Sequence, residues 1–477
     1  MKVLVLNCGS SSVKFQLIET DTEKALLRGI VEKIGSSSGI LSFRAEGKRD
    51  FREVREVVDH KEAVSLVLSI LSHPDQGVVS SLEEIGAVGH RVVHGGQSFS
   101  ESVGITDKVL AEIEYCCQFA PLHNPHNLKG IEAIKNQLPS IFQVAVFDTA
   151  FHQNMPPKAY LYGIPYALYE KLGIRKYGFH GTSHRFVAQK AADMLKKPLQ
   201  ELKIITCHLG NGASISAVKN GHSVDTSMGF TPLEGLIMGT RCGDIDPAVI
   251  PYLMEVEHLD GKQIDTLMNK FSGLLGLTET SNDMREIEEE ASAGSERHRI
   301  AMEMFAYRIR KYIGAYAAAI GGLDAVVFTG GIGENSRTVR KLVLEDMEFM
   351  GIVFDPEKNE KHAETISSGP VSVFVIPTNE ELAIARDTAA LFKTMSRHEE
   401  TAASERPVLT TDEKAELLLL WARNPNMNHY ELTTLFNQSV GKNFSVDVVG
   451  EELKTLGMDA VSDSKRAELA LQRREKK

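Results

Sequence analysis

Three polar, glycine-containing turns stand where this chain could handle phosphate. The first is NCGSSSVK, Asn7 to Lys14, directly behind the β-forming run Val3 to Leu6. Phosphate oxygens need many donors that approach without steric cost, and Gly and Ser turns supply them as open backbone amides and hydroxyls. Asn7, Ser10, Ser12 and Lys14 therefore read as a phosphate loop with one cation. An ordinary hairpin whose serines face water has the same pattern. Laying Gly9 on Gly210 brings VLVLNCGSSSVKF, with a one-residue offset at the ends, against ITCHLGNGASISA, a second β-rich lead into a polar Gly turn. A third cluster, VVFTGGIGEN, covers Val326 to Asn335. One such turn is common chemistry; three suggest a duplicated α/β core whose phosphate-binding turns face each other across a cleft. No GxxxxGK[ST] occurs, and no GxGxxG lies between a strand and a helix, so P-loop and Rossmann readings find no support.

Such turns must be held by strands and helices, and the chain alternates between the two, the pattern of α/β architecture. Strands are predicted at Val3 to Leu6, Ala87 to Val93, Phe142 to Phe147, Ile204 to His208, Ala325 to Thr329 and Val371 to Ile376. Between Glu296 and Gly321, Phe305, Ile309, Ile313, Tyr316 and Ile320 fall on one helical face, and Gly321-Gly322 stops that helix. At 477 residues the chain exceeds one ordinary core, so two domains and an extra piece are expected. From Arg397 the sequence RHEETAASERP reads as a linker, placed at 397–410. An appendage over 411–477 follows, with helical patterns at Thr411 to Ala422, His429 to Gln438 and Val446 to Leu456. Trp421, Leu417, Leu418, Leu432, Leu435, Phe436, Val449 and Leu453 could form its core, and the basic end SKRAELALQRREKK reads as a solvated helix face.

The charge balance, 64 acidic against 53 basic residues and a formal net charge of −11, argues against a nucleic-acid backbone as the main partner. Cys8, Cys116, Cys117, Cys207 and Cys242 show no CxxC or metal-finger spacing and read as reduced thiols of a cytoplasmic protein. A strand begins within two residues of the start, without a basic-then-apolar leader, and no apolar run reaches membrane-spanning length. A soluble, unexported protein is expected.

The stretches NCGSSSVKF, GHRVVHGG, APLHNPHN, FDTAFH, YGFHGTSH, HLGNGAS, MGFTPLEGLIMGTRCGDIDP, FTGGIGENS and PTNEELAIARD occur in one order. In these motifs the chain resembles the acetate kinase family, of the acetate and sugar kinase, Hsc70 and actin superfamily, over about residues 1 to 395. The resemblance implies a duplicated ribonuclease H-like (actin-like ATPase) two-domain α/β fold. Residues 1–148 with 381–396 would form the substrate-side domain, and 149–380 the nucleotide-binding, dimer-forming one. It implies reversible in-line phosphoryl transfer between ATP and acetate, with Mg²⁺ (Mn²⁺ able to substitute), in a homodimer.

Phosphoryl transfer between two anions needs cations around the equatorial oxygens. By resemblance, Arg91 and Arg241 hold the carboxylate and the transferring group, and His180 hydrogen-bonds the phosphoryl. Asp148, behind the run FQVAVF, belongs to the same catalytic set, although an Asp there could also cap a helix. Asn7 and Glu380 match the metal-associated positions, as a hard cation with few protein ligands requires. The phosphates and nucleotide would meet Ser10, Ser12, Lys14, His208, Leu209, Gly210, Asn211, Gly212, Asp283, Met284, Arg285, Gly331, Ile332, Gly333, Glu334 and Asn335. Val93, Leu122, Phe179 and Pro232 match the pocket for the acetate methyl. Such a pocket discriminates one methylene by only about 1 to 3 kcal/mol, so propionate should be a slower substrate. A propionate or butyrate kinase and a non-catalytic nucleotide-binding module are the rival readings. The appendage lies beyond the family's length and is read as a partner-binding or regulatory piece, its partner a protein.

Overall fold

The computed structural model describes residues 1–405, 409–424, 427, 429–456 and 458. The chain divides into two compact units, Met1–Phe392 and Lys393–Lys477.

The first unit is built on two sheets. One contains β1 (Lys2–Cys8), β2 (Ser12–Glu19), β3 (Lys24–Glu32), β4 (Ser36–Ala45), β5 (Phe51–Val57), β6 (Ile85–Val92), β7 (Val103–Gly104) and β8 (Phe142–Phe147). The other contains β9 (Lys203–Leu209), β10 (Ala213–Lys219), β11 (His222–Thr226), β12 (Ala325–Thr329) and β13 (Ser372–Val375). Their spatial orders are β5-β4-β3-β2-β1-β6-β8-β7 and β11-β10-β9-β12-β13. The segments β3-β2-β1-β6-β8 and β11-β10-β9-β12-β13 are the same device twice. In each, the first three strands are antiparallel and the last two join in parallel. This is the duplicated ribonuclease H-like core of the actin-like ATPases, and it carries Gly9 and Gly210 into the same hairpin position. The Gly9 amide donates to Ser12 O at 2.8 Å, and the Gly210 amide to Gly212 O at 3.1 Å.

Each predicted strand is found, and most of their residues are buried, Val3 to Leu6 and Ala325 to Thr329 throughout. One buried cluster joins the two sheets through a pair of helices, Gly181–Leu195 and Glu380–Glu405. Val3, Val5 and Val146 from one sheet and Ile204 and Val327 from the other meet Phe186, Val187, Leu382 and Ile384 of these helices. At about 25 cal/mol per Å² of apolar surface removed from water, this cluster ties the sheets firmly. A polar latch adds orientation: the carboxylate of Asp387 accepts from Arg185 Nη2 and from Ser102 Oγ, each at 2.6 Å. The helix Glu296–Ile320 buries the five predicted apolar residues, and Gly321 ends it at φ 74°, a conformation that favours glycine.

The second unit contains the helices Thr411–Arg423, His429–Val440 and Val446–Thr455, within two residues of the sequence patterns at their ends. Its core is Leu409, Leu417, Leu432, Phe436, Phe444, Val449 and Leu453, with Trp421 packed against it. Leu418 and Leu435, expected in this core, are only partly buried and lie outside it. Leu409 and Phe444 are buried in it instead. Phe444 sits between helices, where Asn437 bonds both its amide, at 2.9 Å, and its carbonyl, at 2.8 Å. The segment read as a linker from Arg397 is helical through Glu405. Residues 406–408 and the basic end 459–477 lie outside the described residues.

Candidate active site

The site is assembled at the ends of parallel strands, where α/β sheets present their functional groups. Arg91 lies near the end of β6, and Asp148 follows the last residue of β8, its amide bonded to Val92 O at 3.0 Å. The adjacency of β6 and β8 makes the two side chains meet in a fork: Arg91 Nε to Asp148 Oδ1 at 2.9 Å and Nη2 to Oδ2 at 2.6 Å. Asp148 is 1% exposed and its carboxylate serves Arg91, so it does not cap the short helix Ala150–His152, which has no side-chain cap. Arg91 also reaches Asn7 Oδ1 at 3.5 Å and stands 3.8 Å from Glu380 Oε2. Burial works against its charge, but Asp148 and Glu380 outweigh that and raise its pKa.

Glu380 opens the second joining helix. Burial, the largest cause, pushes its pKa up to about 7; Asp148 and Glu381 add to this, while Arg91 and Lys14 oppose it. With its pKa above the unfolded value, Glu380 holds a proton near neutrality in the folded chain. Its contribution to stability is lost as pH rises from the ordinary carboxyl range through about 7.

His180 stands before Gly181 at φ 56°, an unusual conformation for a side chain with a Cβ. Gly181 is held close: its amide donates to Asp148 O at 2.9 Å, and a Cβ there would lie 2.3 Å from that oxygen. The start of the Gly181 helix is thereby fixed against the end of β8. His180 stacks on His208 with centroids 4.3 Å apart. A Cβ on Gly212 would sit 3.5 Å from His180 Nε2 and 3.7 Å from Arg241 Nη1, which brings the second glycine turn, His180 and Arg241 to one point. Arg241 bonds Pro232 O at 3.2 Å and has no carboxylate partner among the described residues. Burial lowers its pKa. The fold thus holds one arginine already neutralised and one whose charge is unmatched.

Beside this point lies a cavity of about 660 Å³ lined by Gly210, Asn211, Asp283, Met284, Arg285, Gly331, Ile332 and Asn335, eight of the positions carried over for the nucleotide. Asn282, Glu288 and Ser336 line it as well and were not singled out from sequence. Asp283 does cap its helix, accepting from the Arg285 amide at 2.9 Å, while its carboxylate also grips the Arg285 guanidinium. Glu334 turns inward, accepting from the amides of Gly330 at 2.9 Å and Thr378 at 3.2 Å, so it shapes the turn. Leu209 is buried in the core and Gly333 is buried beneath the cavity, leaving only their backbones to approach a ligand. Ser10 and Lys14 are exposed on the first hairpin, where Lys14 pairs with Asn7 across the strands. Ser12 closes that turn through its carbonyl.

Val93 and Phe179 are buried in one apolar cluster, and Pro232 is tied to the site by its carbonyl, which accepts from Arg241. Leu122 is 52% exposed and belongs to no buried cluster. His123, next to it, was not singled out from sequence. Burial, the largest cause, together with Arg241 and Arg91 lowers its pKa to about 4, so a neutral ring stands within electrostatic reach of both cations. Its signal was the quoted motif APLHNPHN, but a lone His in a motif does not reveal which charges surround it.

The acetokinase family profile matches residues 2–386. The chain belongs to the acetokinase family. It is accordingly a phosphotransferase whose acceptor is a carboxyl group. An acetate kinase of Caldicellulosiruptor saccharolyticus is 55% identical over 82% of this chain and 100% of its own length. An acetate kinase of Clostridioides difficile is 54% identical, again over 82% of this chain and 100% of its own. Among solved structures, Porphyromonas gingivalis acetate kinase superposes with a TM-score of 0.79 at 51% identity, covering 82% of this chain and 99% of its own. A propionate kinase from Francisella tularensis gives a TM-score of 0.78 at 44% identity over 82% of this chain and 99% of its own. The family profile ends at residue 386, before the three helices of the second unit.

Proposed function

We propose that the chain catalyses reversible transfer of the terminal phosphoryl group of ATP onto acetate, giving acetyl phosphate and ADP by direct in-line displacement. An acetate oxygen forms the new bond to phosphorus as the bond to the ADP oxygen breaks, so no covalent enzyme intermediate is needed. The observation that carries this reading is the convergence of Arg241, His180 and the Gly212 turn, whose Gly210 and Asn211 line the nucleotide-sized cavity, with Arg91 of the Asp148 fork close enough to lower the His180 pKa. A mere nucleotide clamp has no use for an unmatched cation, Arg241, placed beside a histidine and a second, oriented arginine where another anion could bind. Val93, Phe179 and Pro232 would seat the methyl group. Trapping acetyl phosphate with hydroxylamine tests the proposal: product from acetate, ATP and Mg²⁺ supports it, and none at high enzyme concentration refutes it.

The likeness to a propionate kinase supports a second reading, in which propionate is the preferred acid. Comparing kcat/KM for acetate, propionate and butyrate decides between them.

The described residues contain no cluster of three or more His, Cys, Asp or Glu of the kind that encloses a metal. Mg²⁺ fits nevertheless, because it keeps most of its waters and needs only one or two protein oxygens. Asn7 Oδ1 and Glu380 Oε2 both lie within 4 Å of the Arg91 guanidinium, at 3.5 and 3.8 Å, so the fold brings these two oxygens to one place. Asn7 and Glu380 would hold the ion, which when bound supplies charge neutralisation at the nucleotide phosphates. Mg²⁺ must compete with the Glu380 proton, so its affinity should fall as pH drops below about 7 and level off above it. Calorimetric titration of Mg²⁺ and ADP across that range checks this; pH-independent affinity removes Glu380 from the metal set.

The homodimer is proposed through the helix Val249–Val256. VIPYLMEV is apolar except for Glu255, yet none of its residues is buried, and Tyr252 is 63% exposed. Helices of that composition are normally covered. Ile245, Phe271 and Met304 line an adjoining hollow. Tyr252→Glu should halve the mass seen by light scattering; a monomeric parent protein would refute the assignment. No helix of the described residues is long and apolar enough to cross a membrane, and all five cysteines are free, which supports the cytoplasmic expectation. For the three-helix unit a protein partner is proposed: its exposed Asp412, Glu431, Asp447 and Glu451 would repel a nucleic-acid backbone.

A further inference from the structure

We infer that Thr206, Ser214 and His184 form a buried hydrogen-bond chain that fixes the His180 imidazole with its proton on Nε2, so that the nitrogen facing the cleft donates. This deepens the reading of His180 as a donor to the phosphoryl group and rests on it.

The chain is read from its distances. Thr206 Oγ1 lies 2.7 Å from His184 Nδ1, His184 Nε2 lies 2.7 Å from Ser214 Oγ, and Ser214 Oγ lies 2.9 Å from His180 Nδ1. Thr206, His184 and Ser214 are completely buried. Local sequence explains the assembly. His180 is the N-cap of the helix that starts at Gly181, and the His184 amide in its first turn donates to His180 O at 3.0 Å, which holds the two residues together. Ser214 faces His208 across the β9–β10 ladder, and Thr206 stands two residues from His208, so both hydroxyls lie on the same face of the sheet.

Counting protons leaves two arrangements. Each hydroxyl has one proton to give, and each neutral imidazole has one N–H and one lone pair. Burial keeps both rings neutral by lowering their pKa well below the ordinary value. Ser214 can therefore donate to only one ring and must accept from the other. The far end of the chain decides which. Thr206 Oγ1 has one other acceptor, Ser216 O at 3.5 Å, the outer limit of a hydrogen bond, against 2.7 Å to His184. Its proton goes to the short contact. His184 Nδ1 then accepts, its Nε2–H donates to Ser214, and the Ser214 proton goes to His180 Nδ1. That leaves the His180 proton on Nε2, which has no protein partner among the described residues and lies on the Gly212 and Arg241 side of the ring. The opposite polarity would aim a lone pair at phosphate oxygens. Thr206, His184 and Ser214 are thus positioning residues; only His180 would touch the reacting group.

Two-bond ¹H–¹⁵N spectra of the full chain labelled at histidine, assigned with His180→Gln, report the tautomer directly. The expected pattern for His180 is the Nε2–H form. Thr206→Val, which keeps shape and removes the donor, should shift His180 toward Nδ1–H and lower kcat by about a hundredfold with KM for ATP unchanged. Thr206→Ser should restore both. An Nδ1–H pattern in the parent protein overturns the inference even if Thr206→Val fails to fold, and so does a Thr206→Val enzyme with parental kcat. Failure of the underlying reading looks different: His180→Ala would then turn over normally whatever the tautomer.

Discussion

Arg241→Ala should lower kcat for acetyl phosphate formation by about a thousandfold, the upper range for loss of one preorganised donor at a developing charge, without lowering the melting temperature. Both halves follow from the same observation. Arg241 has no carboxylate partner among the described residues, and burial already lowers its pKa. A desolvated, unmatched cation costs folding free energy, so deleting it relieves the folded state while removing the group that meets the transferring phosphoryl. Rate measurements in both directions together with thermal unfolding check this. Near-parental turnover would take Arg241 out of the catalytic set; a large drop in melting temperature would show that its charge is structural.

Asp148→Ala should do the opposite to stability. Its carboxylate is buried and holds Arg91 by two hydrogen bonds of 2.9 and 2.6 Å. Removing one partner of such a pair leaves a buried charge exposed to its full desolvation cost, about 3 kcal/mol at the low end, since Glu380 at 3.8 Å can take over part of the role. Turnover should fall as well, by about a hundredfold, because Arg91 loses the fork that fixes its direction. Urea unfolding gives the first quantity and steady-state kinetics the second. The double variant Arg91→Ala/Asp148→Ala should be less destabilised than the sum of the singles. Strict additivity would mean the two groups act separately.

Much of the core was legible from short apolar runs. Val3 to Leu6, Phe142 to Phe147 and Ala325 to Thr329 are covered on both faces, and a strand with two buried faces has no polar alternation to confuse it. The outlying strands were not legible. In FREVREV of β5 only Val57 is buried, so pairing with β4, rather than its own composition, makes it a strand. The appendage shows the same limit: Leu418 and Leu435 have the right residue type, yet lie beside the filled part of the core, while Phe444 enters from a turn that helical periodicity ignores.

The amino-acid order alone determined which residues could do the chemistry: glycine turns behind buried strands, two arginines, an aspartate and a histidine in motifs arranged as in a carboxylate kinase. Local sequence contains this because turn conformation and strand burial depend on near neighbours. The tertiary structure decided which charges are matched and which are left for a ligand. Arg91 is neutralised because β6 and β8 are adjacent, Arg241 is not, and His180 receives its hydrogen-bond direction from strands that follow it in the chain. Electrostatic and hydrogen-bond energies depend on distances of a few ångströms between residues far apart in the chain, and those distances exist only once the sheets have packed.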